Sequence, residues 1–300
     1  MFDAGRSPAP LMSNPRADRV KEAAKLAGRP ARLKTGRFLA EGPQAVREAL
    51  VAHRDALAAG RPGVVVEAYA TQACLERLPE LEELAEGAAL RLATDEVLAA
   101  MADTVSPQGI VAVCRIPSPT LQDVLGTRPK LLAVMCEVRD PGNAGTILRA
   151  ADSAGADAVV LTASSVDIYN PKAVRSTVGS LFHLPVVTGV EFEELAEAVK
   201  EAGITVLAAD GYGSEDLDAL QDASSLRRLA PEAADPAAAG PRLENPTAWL
   251  FGNEAQGLSD TELSSADFRV AVPVYGQAES LNVGTAATVC LYASARAQNR

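Results

Sequence analysis

Residues 131–138 (Leu-Leu-Ala-Val-Met-Cys-Glu-Val) run almost without a polar break and then stop at Arg139-Asp140-Pro141-Gly142. A stretch that is apolar on consecutive rather than alternate residues reads as a strand buried on both faces of a parallel sheet. Parallel strands need crossover connections, usually helices, so this one run places the C-terminal part of the chain in the α/β class. The pattern that follows agrees. Helices are predicted over 143–154, 171–178 and 192–202, alternating with strands over 158–161, 185–187 and 204–208. Two further apolar runs, 249–251 and 268–274, each break into a loop of Gly, Asn, Glu and Ser, and a helix follows to the end of the chain. In open α/β sheets ligands bind outside the strand carboxyl ends. The loops 138–149, 251–258 and 275–283 are therefore the candidate site.

The N-terminal third follows a second, shorter α/β pattern. Residues 1–14 are rich in Ala, Pro and Ser without periodicity and are expected to form a disordered tail. A helix is predicted from a Ser13-Asn14-Pro15 cap to about residue 26, a strand at 37–42, and a helix starting at Pro43, whose missing N–H costs nothing there. Strands at 64–66, 90–92 and 109–116 and short helices at 71–77 and 95–101 complete it. Pro117-Ser118-Pro119 reads as a linker. The expected domains are thus 15–117 and 128–300, the second carrying a strand-free surface insertion at 222–246.

Composition narrows the function. No run approaches the roughly 20 apolar residues of a membrane span, and the first residues lack the order of a signal peptide, so a cytoplasmic protein is expected. With only His53 and His183 and no Cys-x-x-Cys pair, no metal is expected. Cys74, Cys114, Cys136 and Cys290 read as reduced core thiols. The net charge is −11, yet between Arg16 and Arg37 eight Lys/Arg face only Asp18 and Glu22, a net of +6 that leaves −17 on the rest. Such a stretch on an acidic protein suits a phosphate-bearing partner. It is equally what a solvated helix face looks like.

Each loop has a functional reading and a plainer one. The first, Asn143-Ala144-Gly145 onward, offers backbone N–H groups to an anion. It has neither the G-x-G-x-x-G fingerprint nor a P-loop lysine, which disfavours a nucleotide-binding oxidoreductase. Arg149, six residues on and on another helix face, reads alone as an exposed helix residue. In the second loop, Gly252 suits a close backbone approach, Gly257 a positive φ, and Glu254 is the acid between them. In the third, Ser280 or Asn282 alone is an ordinary helix cap.

Taken together, Asn143-x-Gly145-x-x-x-Arg149, Phe251-Gly252-Asn253-Glu254-x-x-Gly257-Leu258 and Pro273-x-x-Gly276-x-x-x-Ser280-Leu281-Asn282-Val283 resemble the three motifs of the SpoU/TrmH family of knotted (SPOUT) RNA methyltransferases. The resemblance covers about residue 131 to the C-terminus. Residues 16–115 are similar, through 32–42 and the α/β pattern, to the substrate-binding domain many of these enzymes carry, itself similar to small ribosomal RNA-binding proteins. The resemblance implies a C-terminal α/β domain tied in a trefoil knot, an exception to the general rule, and a homodimer. It implies S-adenosylmethionine as cofactor, with contacts at Gly252, Val272 and Leu281 and the adjoining Leu250 and Phe251, largely through backbone. Methyl transfer to a ribose 2′-hydroxyl of RNA, ribosomal before transfer RNA, is the implied reaction. Arg149 matches the residue assigned to activating the hydroxyl, with Asn143, Glu254, Ser280 and Asn282 as polar companions. An arginine is a poor general base, since it keeps its proton in proteins, and electrostatic stabilisation stands beside that role. On this reading Arg16, Arg19, Lys21, Lys25, Arg32, Lys34 and Arg37 are the RNA-binding residues. An RNA-binding module with a vestigial enzyme domain is the other class to separate.

Overall fold

The computed structural model describes residues 11–233 and 240–299. In chain order the elements are α1 (Asp18–Lys25), α2 (Arg29–Thr35), β1 (Arg37–Glu41), α3 (Pro43–Ala58), β2 (Val65–Ala70), α4 (Gln72–Arg77), α5 (Glu80–Leu84), β3 (Leu90–Leu92), α6 (Asp95–Met101) and β4 (Ile110–Arg115). There follow α7 (Leu121–Gly126), β5 (Leu131–Met135), α8 (Pro141–Ala154), β6 (Ala158–Thr162), α9 (Pro171–Ser176), β7 (Val186–Val190), α10 (Phe192–Glu201) and β8 (Thr205–Ala209). The last are β9 (Glu215–Asp216), α11 (Leu217–Leu229), β10 (Thr247–Phe251), α12 (Asp260–Ser265), β11 (Phe268–Ala271) and α13 (Val283–Gln298). Contacts divide the chain into two units, Met1–Pro117 with Asp167–His183, and Ser118–Val166 with Leu184–Arg300.

The first unit has a four-stranded sheet in the order β1-β4-β2-β3, antiparallel except for β2–β3. Val20, Leu39, Tyr69, Val97, Leu98 and Met101 form its core on one side. The segment 167–183 belongs here although it lies between two strands of the other unit, a division that differs from a single cut near residue 117. Chemistry explains the difference. Phe38 packs against Tyr169 and Phe182, with ring centroids 5.0 and 5.9 Å away. Arg32, only 3% exposed, donates from Nε and Nη2 to the Asp167 carboxylate at 3.0 and 2.7 Å, and from Nη1 to the Leu26 and Ala27 carbonyls at 2.8 and 2.7 Å. A composition-based reading sees Arg32 only as one more surface cation.

The expected tail is ordered at its end. The Met12 N–H donates to the Leu92 carbonyl (2.9 Å) and its carbonyl accepts from Thr94 (3.0 Å), while residues 1–10 lie outside the described residues. The first helix begins at Asp18 with Ala17 at its cap and no side-chain bond there. Asn14 instead holds the preceding turn through its side chain, which accepts from the Arg16 N–H at 2.9 Å.

The second unit is built on a seven-stranded sheet, β7-β6-β5-β10-β8-β11-β9, in which every pair is parallel. Its central strands β5, β6 and β10 are buried at every residue, as their unbroken apolar character requires. α8 starts with Pro141 at its first position, the Asp140 carboxylate accepting from the Asn143 N–H at 2.9 Å, and it ends at Gly155 with φ 71°. β11 stops at Ala271, short of Pro273, which has no N–H to give to a ladder. Within β10 and α13, the Trp249 indole donates to the buried Ser294 hydroxyl at 2.9 Å. The expected surface insertion at 222–246 is in part packed structure. Asp216 caps α11, whose Leu217, Leu220 and Ser224 are buried, and Arg227 pairs with Glu244 at 3.0 Å beside fully buried Leu243. Residues 234–239 lie outside the described residues. All four cysteines are buried and unpaired.

Candidate active site

Three loops leave the carboxyl ends of β5, β10 and β11. Because all strands of this sheet are parallel, these ends lie on one edge. The sequence puts polar residues where each strand stops, and several of them bond across from one loop to another. The Glu254 carboxylate accepts from the backbone N–H groups of Arg139 (3.3 Å) and Asp140 (3.1 Å) and from the Asn143 side-chain amide (3.2 Å). Asn143 in turn accepts at Oδ1 from the Asn282 amide at 3.0 Å. Asn282 Oδ1 accepts from the N–H groups of Gly284 (2.9 Å) and Thr285 (3.4 Å) and so caps α13. One chain of side chains, Glu254–Asn143–Asn282, ties the three loops together.

Charge follows from this bonding. Burial would raise the Glu254 pKa, but hydrogen bonds from its own backbone, from Asp140, from Asn143 and from Arg139 outweigh it and hold the carboxyl below its ordinary value. Glu254 is thus an anion and an acceptor, not a proton donor. Asn143 and Asn282 have committed both ends of their amides and serve as braces. Arg149 is exposed on α8 and forms no ion pair or hydrogen bond among the described residues, so its guanidinium is free to meet an anionic or developing negative charge.

The other expected residues are placed less centrally. Ser280 is exposed and makes no hydrogen bond among the described residues. Gly252 is buried, and a Cβ there would lie 2.4 Å from the Gly257 carbonyl carbon and 2.5 Å from the Leu258 nitrogen. Its missing side chain therefore lets the 252–258 loop close on itself. Gly257 does have the expected positive φ, 70°. The side chains of Leu250 and Phe251 are consumed by the core, 2% and 1% exposed, and their backbone runs in the β10 ladder, the Phe251 carbonyl accepting from the Cys136 N–H at 2.8 Å. Val272 is half-buried and Leu281 exposed, and no backbone N–H from 274 to 281 is paired within the protein among the described residues. A loop of unpaired main-chain donors and carbonyls is the donor set that suits an adenine-bearing cofactor held through backbone.

Two members of the site were not singled out from sequence. Asn253 donates to the Glu137 carbonyl at 3.0 Å and accepts from the N–H groups of Ala255 (2.9 Å) and Gln256 (3.2 Å), shaping its loop. Glu137, at φ 54°, donates its N–H to Thr162 Oγ1 at 3.1 Å and pairs with Arg139 at 2.9 Å. Asn253 was visible beside Glu254 in the second motif, but the unusual backbone of Glu137 has no signature in composition.

The expected RNA-binding residues divide in two. Arg32 is buried and fully engaged, Arg19 pairs with Glu67, Lys21 with Asp18, and Lys25 with Glu22. Arg16, Lys34 and Arg37 are exposed without an ion pair among the described residues. The net of +6 is therefore not seven free charges on one face.

Fold and site together define a two-unit α/β protein whose larger unit presents a braced ligand site at the edge of a parallel sheet. Residues 130–292 match the SpoU rRNA methylase family, and residues 17–112 match the MRM3-like substrate binding domain. The 23S rRNA (guanosine(2553)-2'-O)-methyltransferase RlmP of Bacillus subtilis is 35% identical over 91% of this chain and 94% of its own. A crystal structure of an RNA 2'-O ribose methyltransferase aligns with TM-score 0.73 and 27% identity, over 97% of this chain and 99% of that one. The SpoU methyltransferase AviRb of Streptomyces viridochromogenes, solved in complex with the cofactor AdoMet, aligns with TM-score 0.72 and 29% identity, over 94% and 98%. The chain belongs to the SpoU rRNA methylase family.

Proposed function

We propose that the chain is an S-adenosylmethionine-dependent RNA 2′-O-ribose methyltransferase acting on ribosomal RNA. The observation that carries this is the Glu254–Asn143–Asn282 chain, which fixes all three family motifs in one rigid constellation. Such bracing suits a reaction in which orientation dominates, because in-line displacement needs the attacking oxygen held on axis. When bound, the cofactor supplies a methyl group on a sulfonium. The backbone at Gly252 and along 272–281 would hold it, consistent with unpaired main-chain groups in the last loop. Arg149 orients the ribose hydroxyl and its neighbouring phosphate and stabilises the charge that develops on oxygen. Asn143, Glu254 and Asn282 keep the helix that carries Arg149 in register with the other two loops, and Ser280 is assigned to the acceptor side of the pocket.

The finer parts of the reading are a trefoil knot in which the last strand and helix thread through a loop, a homodimer, and a cytoplasmic enzyme whose N-terminal domain recruits RNA. The exposed Val289 and Tyr292, three residues apart on α13, support a helix-borne dimer face. Among the described residues no helix is long and apolar enough to cross a membrane, and no cluster of metal ligands occurs. The test is methyl transfer from labelled donor to ribosomal RNA taken from cells lacking this gene, with 2′-O-methyl sites mapped and light scattering run on the same sample. Transfer to a single ribosomal ribose is expected. Transfer only to transfer RNA would change the substrate, and donor binding without transfer to any RNA would leave a binding module.

A further inference from the structure

The first unit holds a cavity of about 280 Å³ to which the candidate active site contributes no residue. It opens between the first turn of α3, the loop joining α6 to β4, and α9 with the residues after it. Ile110 and Val111 of β4 give it an apolar floor. Its one acid, Glu41, is 6% exposed and already saturated. The carboxylate accepts from the N–H groups of Asp103 (2.9 Å) and Thr104 (3.2 Å) and from Arg175 Nη1 (3.2 Å), while Arg175 Nη2 reaches Asp103 at 3.1 Å. Glu41 and Arg175 therefore build the wall and are not left to bind a cation or an anion.

What remains is a ring of neutral hydrogen-bonding groups. The hydroxyls of Thr104 and Ser106 and the side-chain amide of Gln108 have no partner among the described residues. Gln44 donates to Glu48 at 3.0 Å and keeps its side-chain carbonyl free. The backbone N–H groups of Gln44 and Ala45 are also unpaired among the described residues, since Gly42 has no side chain with which to cap α3. At the rim Val178 has φ 53°, a costly backbone for a β-branched residue. Neutral amides and hydroxyls around an apolar floor match the edge and face of a nucleobase. Unpaired bases splayed from loops and bulges are what proteins read in RNA, since the grooves of an A-form duplex do not enter a pocket. The volume lies just below the usual range for ligand pockets, about 300–1,000 Å³, which suits a single base and not a helix.

We infer that this cavity receives one unpaired nucleotide of the RNA, read by Gln44, Thr104, Ser106 and Gln108. The inference rests on RNA being the substrate. It moves specific recognition from the basic stretch to the opposite end of β1, and leaves Arg16, Lys34 and Arg37 a role in general phosphate attraction.

Two measurements on the full chain test it. Ribosomal RNA transcribed with 4-thiouridine is irradiated with the protein and the adducts are mapped by mass spectrometry. Adducts at 42–45 or 104–108 are expected, and adducts confined to 16–37 overturn the cavity. The Gln44→Ala/Gln108→Ala protein, altered at two exposed side chains, is then assayed. KM for ribosomal RNA should rise about tenfold, with kcat, donor affinity and melting temperature unchanged. An unchanged KM overturns the proposal while leaving the enzyme reading intact. Cross-linking needs no turnover, so a protein that transfers no methyl group still yields a map that decides the cavity separately.

Discussion

Replacing Arg149 by alanine removes a site side chain that holds no ion pair or hydrogen bond among the described residues. Methyl transfer in a single turnover should fall by about 10²–10³-fold, the usual cost of losing one preorganised charge stabiliser, while calorimetric donor affinity and melting temperature stay put. Turnover at the wild-type rate would take Arg149 out of the chemistry. Glu254 behaves differently because its carboxylate is engaged in the resting fold. Its pKa in the folded protein lies below the ordinary value, so its contribution to stability is complete above the unfolded value of about 4.3 and is lost as pH falls through the folded one. Glu254→Gln should therefore lower the urea midpoint at pH 7 and show a smaller deficit relative to wild type at pH 3. An equal deficit at both pH values would show that ionisation is irrelevant to the brace.

At the scale of elements, two features tie loops and helices to their neighbours. Gly252→Ala puts a methyl group 2.4 Å from the Gly257 backbone, so the 252–258 loop must open. Donor affinity should drop by at least about tenfold, with a lower melting temperature as well, because loop and pocket share the same backbone. Affinity unchanged in a folded variant would remove this loop from the cofactor site. Asp167→Ala strips a buried arginine of its partner, which typically costs about 3–5 kcal/mol. A loss below 1 kcal/mol in chemical denaturation would mean that Arg32 finds other acceptors. The periodicities made most strands and helices legible, since β5, β6 and β10 have a composition that only a doubly covered parallel strand tolerates. The three motifs likewise pointed at Asn143, Glu254 and Asn282, which do meet. Arg32 is buried where a charge count places a surface cation, because charge counts carry no information on burial. α2 and α11 were missed because Arg-Pro-Ala-Arg and Asp-Ala-Leu-Gln-Asp segments have the composition of solvated loops. The cavity beside α3 has no sequence signature because its free polar groups come from two distant stretches, 44–45 and 104–108, neither with a motif.

For the whole molecule the discontinuous first unit governs how the protein can be divided. Deleting residues 1–117 removes the partners of Tyr169, Phe182 and Asp167 and leaves their apolar and charged surfaces bare. That truncation should be insoluble or aggregate. A second one that also replaces 167–183 by a short Gly-Ser linker should stay soluble and bind donor, as followed by light scattering and calorimetry. If the simple deletion proves monodisperse and folded, the 167–183 segment is not a true part of the first unit. The same arrangement bears on synthesis. Arg32 and Asp167 are 135 residues apart, and translation at about 5–20 residues per second separates their appearance by on the order of ten seconds or more. Throughout that interval Phe38 lacks the rings of Tyr169 and Phe182, and a cationic side chain destined for the interior stands without its counter-ion. The nascent first unit is thus held short of completion until the opening part of the second, Ser118–Val166, has been made, a period in which chaperone occupancy on the ribosome should be highest.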